Sequence, residues 1–224
     1  MTESPDRPRR FDLVVFDWDG TLFDSTALIV HAIQAACRDL DLPVPDDERA
    51  SWVIGLSLRS AMQHAAPSIT EAQLPLLVDR YRAHYLARQH DLALFPGVLG
   101  MLHALKKRHH WLAVATGKSR TGLDEALHAV ELRGVFDATR TADETRPKPD
   151  PRMLHELMRH FGTDPQRTLM IGDTTHDLQL AANAGTPAVA VAYGAHRPSE
   201  FAGHSPLLVA SSVAELAAWL EAHA

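Results

Sequence analysis

Five short apolar runs along the chain restrict its fold more than any other feature. They are Phe11 to Phe16, Leu112 to Thr116, Val135 to Thr139, Thr168 to Gly172 and Ala188 to Ala192. Each has the length and apolar content of a strand buried on both faces. Between most of them lie segments of helical length with readable ends. Asp150 and Pro151 supply an N-cap and a first-turn proline for Arg152 to Phe161, and Gly162 a stop. Thr175 to Ala184 ends at Gly185 in the same way. Strands alternating with helices of about ten residues predict an α/β fold built on a doubly wound parallel (Rossmann-like) sheet.

One stretch breaks this rhythm. From Asp24 to Leu94 no strand is readable. Leu28, Ile29, Ala32, Ile33, Ala36 and Leu40 recur at helical spacing behind Ser25, a candidate cap. Thr70 and Gln73 form a capping-box pattern at the head of a second helix reaching about Arg88. Cys37 falls in the first of these apolar stripes and reads as an inert core thiol. The expectation is a helical cap over residues 24–94 inserted into an α/β core made of residues 1–23 and 95–224. The linkers would be Phe23-Asp24 and Leu94-Phe95-Pro96-Gly97.

Composition narrows the setting. With 22 basic and 28 acidic residues the formal charge is −6, which disfavours nucleic acid as a partner. A lone cysteine cannot form an internal disulfide, as suits a reducing compartment. Met1 to Arg10 lacks the apolar run of a signal peptide, and no run is long enough to span a bilayer. These features predict a cytoplasmic protein without a membrane partner, a monomer or dimer.

Chemistry gathers at the strand ends. Asp17 and Asp19 close the first apolar run, and residues two apart on a strand face the same side. In open parallel sheets that end is where ligands bind. Asp-X-Asp-Gly also occurs in plain surface turns, but the rest of the chain adds to the pattern. Asp173 and Asp177 follow another strand directly, Lys148 precedes a helix, and Thr116 ends the second strand beside Gly117. Four carboxylates brought together would repel one another without a cation. All-oxygen ligands suit a hard ion such as Mg²⁺.

Asp17-Trp18-Asp19-Gly20-Thr21, then Thr116, Lys148, and Asp173 with Asp177 resemble, in order, the four motifs of the haloacid dehalogenase-like hydrolase superfamily. The likeness is to its phosphoglycolate-phosphatase-like members and covers nearly the whole chain, helical insertion included. Gly117 departs from the pattern, since relatives often carry asparagine there. The resemblance implies that Asp17 attacks phosphorus to form an aspartyl-phosphate. Asp19 would be the general acid and base, its main-chain carbonyl a Mg²⁺ ligand. Asp17 and Asp173 would also ligate the metal, and Asp177 would hold a metal-bound water or Lys148. Thr116, Lys148 and the amides near Gly20 and Gly117 would bind the phosphoryl oxygens. The acid at position 19 favours phosphate esters over carbon–halogen or carbon–phosphorus bonds.

The implied activity is hydrolysis of a small phosphorylated metabolite, with 2-phosphoglycolate the leading substrate. The rivals are a phosphoglucomutase-like phosphotransferase and a non-catalytic phosphoanion-binding protein. Other features read more plainly. Trp18 is expected to pack rather than stack on substrate, His109-His110 to form a solvated turn, and His176 to sit at a helix N-terminus. Arg59, in a loop resembling the family's specificity loop, would reach the far end of the substrate. Lys118 and Arg120 could meet a substrate anion or simply lie in a charged turn.

Overall fold

The computed structural model describes residues 9–224, so the reading of the N-terminal stretch lies outside the described residues as far as Pro8. Its centre is a parallel six-stranded sheet in the order β3-β2-β1-β4-β5-β6. The strands are β1 Leu13–Phe16, β2 Trp111–Thr116, β3 Ala138–Thr141, β4 Thr168–Gly172, β5 Ala188–Val191 and β6 Val209–Ala210. β1 lies between β2 and β4, with Phe16 level with Val114 and Ile171. All four of its residues are buried, as an apolar run with no polar face requires.

Alternation along β1 splits the core in two. Val14 and Phe16 join a cluster with α5 (Val98–Lys107), α6 (Arg120–Ala129) and α9 (Val213–His223). Leu13 and Val15 join another with α7 (Arg152–Phe161) and α8 (Thr175–Ala184). Helices therefore cover both faces, as a doubly wound sheet demands.

Between β1 and α5 come only helices: α1 (Thr26–Asp39), α2 (Asp47–Trp52), α3 (Leu58–Ala65) and α4 (Leu74–Leu86). They enclose an apolar cluster of their own, including Ile29, Ile33, Met62, Leu74 and Leu77. Cys37 is buried within it. The chain leaves and re-enters the sheet layer side by side. Asp24 N–H donates to the Ala93 carbonyl at 3.0 Å and Phe95 N–H to the Leu22 carbonyl at 3.0 Å.

Several boundaries differ from expectation. Val135 and Phe136 are not in a strand; they pack as loop residues against the main core, and pairing with β2 begins only at Ala138. β6 was not foreseen, because two residues give no periodicity to read. The Thr70–Gln73 exchange does occur, but it closes a turn, and α4 starts at Leu74. Ser25 occupies the N-cap of α1 without capping it; its hydroxyl turns to Asp19. Pro151 is the N-cap of α7, and Asp150 accepts from Arg152 N–H at 3.0 Å. Among the described residues no helix is long and apolar enough to cross a membrane.

Candidate active site

The carboxyl end of the sheet brings the distant motif residues together. Asp17 leaves β1 with its N–H held by the Ile171 carbonyl at 2.8 Å. Lys148 Nζ stands 2.6 Å from Asp17 Oδ1 and 2.6 Å from Asp177 Oδ1, with all three side chains enclosed. Asp177 also forms a capping box with Thr174 at the head of α8, which fixes its second oxygen. Asp173 accepts from the Thr21 hydroxyl at 2.7 Å and from Ala195 N–H at 2.7 Å. Asp17 Oδ2 is buried and has no partner.

Oxygens of Asp17, Asp173 and Asp177 lie within 4.8 Å of one another. Three carboxyl groups face one ammonium here, so their full ionisation would leave two uncompensated negative charges in a buried volume. Burial raises Asp17 well above the usual carboxylate range, and Asp177 and Asp173 push the same way against Lys148. Burial, with Asp177 beside it, raises Asp173 to about 7. Burial opposes the Lys148 ammonium, but Asp17 and Asp177 outweigh it and keep the lysine charged. A divalent cation of hard character fits this set in charge and in donor type, and Asp17 Oδ2 is an oxygen without another use.

The Asp19 carboxylate stands apart from that trio. It accepts from the Ser25 hydroxyl at 2.7 Å and pairs with Lys118 Nζ at 3.1 Å. Two residues from Asp17 in sequence, it thus meets a different environment and faces the helical insertion. Thr116 is buried, and its Oγ1 accepts from Lys118 N–H at 3.2 Å, which leaves the hydroxyl proton free to donate.

Two glycines are fixed by close approach. A Cβ on Gly20, which has φ of +80°, would fall 2.1 Å from Asp173 Oδ2. A Cβ on Gly117 would fall 2.3 Å from the Leu56 carbonyl oxygen and 2.6 Å from that of Gly55. Those are backbone atoms, which no rotamer change can move. The departure from asparagine at 117 therefore has a physical reason: the loop before α3 rests directly on this residue.

A cavity of about 870 Å³ opens between the sheet end and the helical insertion. Asp17, Asp19, Thr116 and Gly117 line it from below, and Ile33, Ile54, Tyr81 and Tyr85 from above. Arg59 lies at its edge, 61% exposed and paired with Glu71.

Two of the plainer readings are corrected here, and a third gains contacts. Lys118 does not lie in a solvated turn: it is 13% exposed, bound to Asp19 and, at 3.2 Å, to the Tyr85 hydroxyl. Burial opposes its charge, and Asp19, Tyr85 and Tyr81 restore it. Lys118 lies beyond the end of β2, and its enclosure comes from Asp19 and Tyr85, neighbours brought from far along the chain. His110 is buried rather than solvated, with Nδ1 2.9 Å from the Phe11 carbonyl; only His109 is exposed. His176 lies in the first turn of α8 as expected, and it makes contacts there that the sequence does not foretell. It is buried, with Nε2 2.8 Å from the Trp52 carbonyl, which His196 Nε2 also approaches at 3.0 Å. Trp18 packs in the core against Phe23 and Phe136 as expected. Arg120 pairs with Glu144 and Asp124 outside the cavity lining.

Residues 14–191 match the family described as haloacid dehalogenase-like hydrolase. A probable phosphatase, IndB, of Dickeya dadantii is 36% identical over 91% of this chain and 91% of its own length. A phosphoglycolate phosphatase of Caulobacter vibrioides is 34% identical, covering 81% of this chain and 79% of its own. The crystal structure of a hydrolase from Pseudomonas syringae superposes with a TM-score of 0.86 at 25% identity, over 94% of this chain and 98% of that one. With its sheet, its strand-end carboxylates and these likenesses taken together, the chain is an enzyme of the haloacid dehalogenase-like hydrolase family.

Proposed function

We propose that this enzyme is a Mg²⁺-dependent phosphatase that hydrolyses a small phosphomonoester of the phosphoglycolate type through an aspartyl-phosphate on Asp17. The observation that carries the reading is the buried cluster of the Asp17, Asp173 and Asp177 carboxyl groups around one lysine, an arrangement whose ionisation suits a divalent cation beside a phosphate. Relatives named phosphatase and phosphoglycolate phosphatase support it.

Each residue then has a part. Asp17 attacks phosphorus, the ester P–O bond breaks, and Asp19 gives the leaving oxygen a proton. Water next attacks phosphorus, Asp19 takes its proton, and the bond to Asp17 breaks. Lys148 offsets the repulsion between Asp17 and the incoming dianion, and Asp177 holds Lys148 in place. The Thr116 hydroxyl and the amides beside Gly20 and Gly117 donate to the phosphoryl oxygens. Asp17, Asp173 and the Asp19 main-chain carbonyl would hold Mg²⁺, which when bound neutralises charge and polarises the phosphoryl group. Residues 24–94 act as a cap that closes over the site and excludes water, on a core of residues 1–23 and 95–224. Arg59 contacts the far end of larger substrates.

The test is an assay of purified protein on phosphorylated metabolites, 2-phosphoglycolate, pyrophosphate and nucleoside monophosphates among them, with Mg²⁺, with chelator and with Mg²⁺ restored. At least one small ester should release phosphate, lose it under chelation and regain it. Full activity in chelator would overturn the metal's part. Fast conversion of a hexose 1-phosphate to its 6-phosphate with little free phosphate would make the enzyme a mutase.

A further inference from the structure

We propose that Lys118 is the specificity-determining residue of this site: it binds a carboxylate carried one carbon from the phosphoester oxygen and takes that group in exchange for, or alongside, Asp19. The inference rests on the phosphatase reading above and names the part of the substrate that the enzyme recognises besides phosphate.

Lys118 bridges the two walls of the cavity. Its Nζ lies 3.1 Å from Asp19 Oδ1 on the sheet side. On the other side it is 3.2 Å from the Tyr85 hydroxyl and 4.8 Å from the centroid of that ring, on α4. An ammonium has three N–H donors, and these contacts engage two of them. The other basic side chains along the cavity are poorly placed for a small ligand. Arg59 is mostly exposed and paired with Glu71, and Arg82 and His90 are exposed. Lys148, outside the lining, is committed to Asp17 and Asp177. Among the described lining residues, Lys118 is therefore the enclosed cation that a second substrate anion would meet.

Distance selects the kind of anion. If Asp19 serves the ester oxygen, that oxygen sits at hydrogen-bond range from Asp19 and so within about 6 Å of Lys118 Nζ. A carboxylate two bonds from the ester oxygen reaches the ammonium from there. That short spacing is all the gap between Asp19 and Lys118 requires. Asp19 keeps the Ser25 hydroxyl at 2.7 Å, so it stays held when Lys118 turns to substrate.

The experiment compares 2-phosphoglycolate, ethyl phosphate (the same length without the carboxylate) and 4-nitrophenyl phosphate on the wild type, Lys118→Met and Lys118→Arg. The wild type should prefer 2-phosphoglycolate to ethyl phosphate in kcat/KM. Lys118→Met should shrink that preference by about 10–100-fold, the scale of a lost charge-assisted hydrogen bond, mainly through KM. Lys118→Arg should restore part of it. Equal losses on both esters in Lys118→Met would mean a purely structural lysine and overturn the inference. Wild-type turnover of 4-nitrophenyl phosphate without carboxylate preference would also overturn it while leaving the phosphatase reading intact. Wild-type inactivity on all three would remove both. A measurement that needs no variant is inhibition of wild-type 4-nitrophenyl phosphate turnover by glycolate and by ethanol. Inhibition by glycolate alone supports the assignment, and equal effects contradict it.

Discussion

Asp17 and Asp19 are one residue type, two positions apart, in opposite surroundings. Asp17 is enclosed among other carboxylates and one lysine, whereas Asp19 is shared between a serine and a lysine under the helical insertion. Asp17→Asn should therefore abolish turnover, and Asp19→Asn should slow it by about 10²–10⁴-fold, least with good leaving groups such as 4-nitrophenolate. Stopped-flow and steady-state rates on esters of graded leaving-group pKa check this; a uniform Asp19→Asn loss would contradict it. At Gly117 the obstacle is steric. Any Cβ must move the Leu56 carbonyl by roughly 1 Å, a misplacement that can cost about 10²-fold in rate. Gly117→Ala should lower kcat on small esters by that order and lower the melting temperature as well; full activity would mean that the loop yields freely. The carboxylates were legible because strand ends announce themselves in apolar runs, and Lys148 because it stands just before a helix with a readable start. Ser25, Thr21, Tyr85 and the enclosure of Lys118 were not, since each depends on a neighbour brought from far along the chain.

At the scale of elements, sequence and structure agree where a boundary has local chemistry. α7 and α8 end as Gly162 and Gly185 dictate, with both glycines in left-handed backbone. They part where an apolar run has two possible uses: Val135 and Phe136 cover the core from a loop, and only pairing with β2 tells strand from loop. His110 shows the same limit. A pair of histidines before a strand reads as a surface turn, yet His110 ties the start of β2 to Phe11. Burial lowers its pKa to about 4, so the fold holds it neutral. A histidine depressed from 6.5 stabilises the fold fully above pH 6.5 and loses that contribution as pH falls toward 4, at most about 3 kcal/mol at 1.36 kcal/mol per unit. Denaturant midpoints of the wild type and His110→Asn should converge between pH 6.5 and 4. Parallel curves would contradict the assignment.

For the whole molecule, the fold concentrates buried carboxyl groups at one point. Asp173, raised to about 7, binds its proton more tightly folded than unfolded, so this group stabilises the metal-free protein at low pH and ceases to as pH rises from about 4 through 7. A cation must displace that proton, so Mg²⁺ should raise the melting temperature more at pH 8 than at pH 5. Equal shifts at both would place the ion elsewhere. The helical insertion supplies the other half of the site, through the loop on Gly117, Tyr85 on Lys118 and the Trp52 carbonyl between two histidines. That the chain between β1 and α5 is helical was legible as seventy residues without a strand, but the contacts of those helices were not, because no local pattern encodes which face of a helix meets a distant loop. The account stands or falls on the nucleophile. Enzyme mixed with Mg²⁺ and a rapidly cleaved phosphate ester, quenched in acid within one turnover and digested, should carry an acid-stable, hydroxylamine-labile phosphoryl group on the peptide containing Asp17. Steady phosphate release with no adduct there, or with the adduct on another residue, would contradict it.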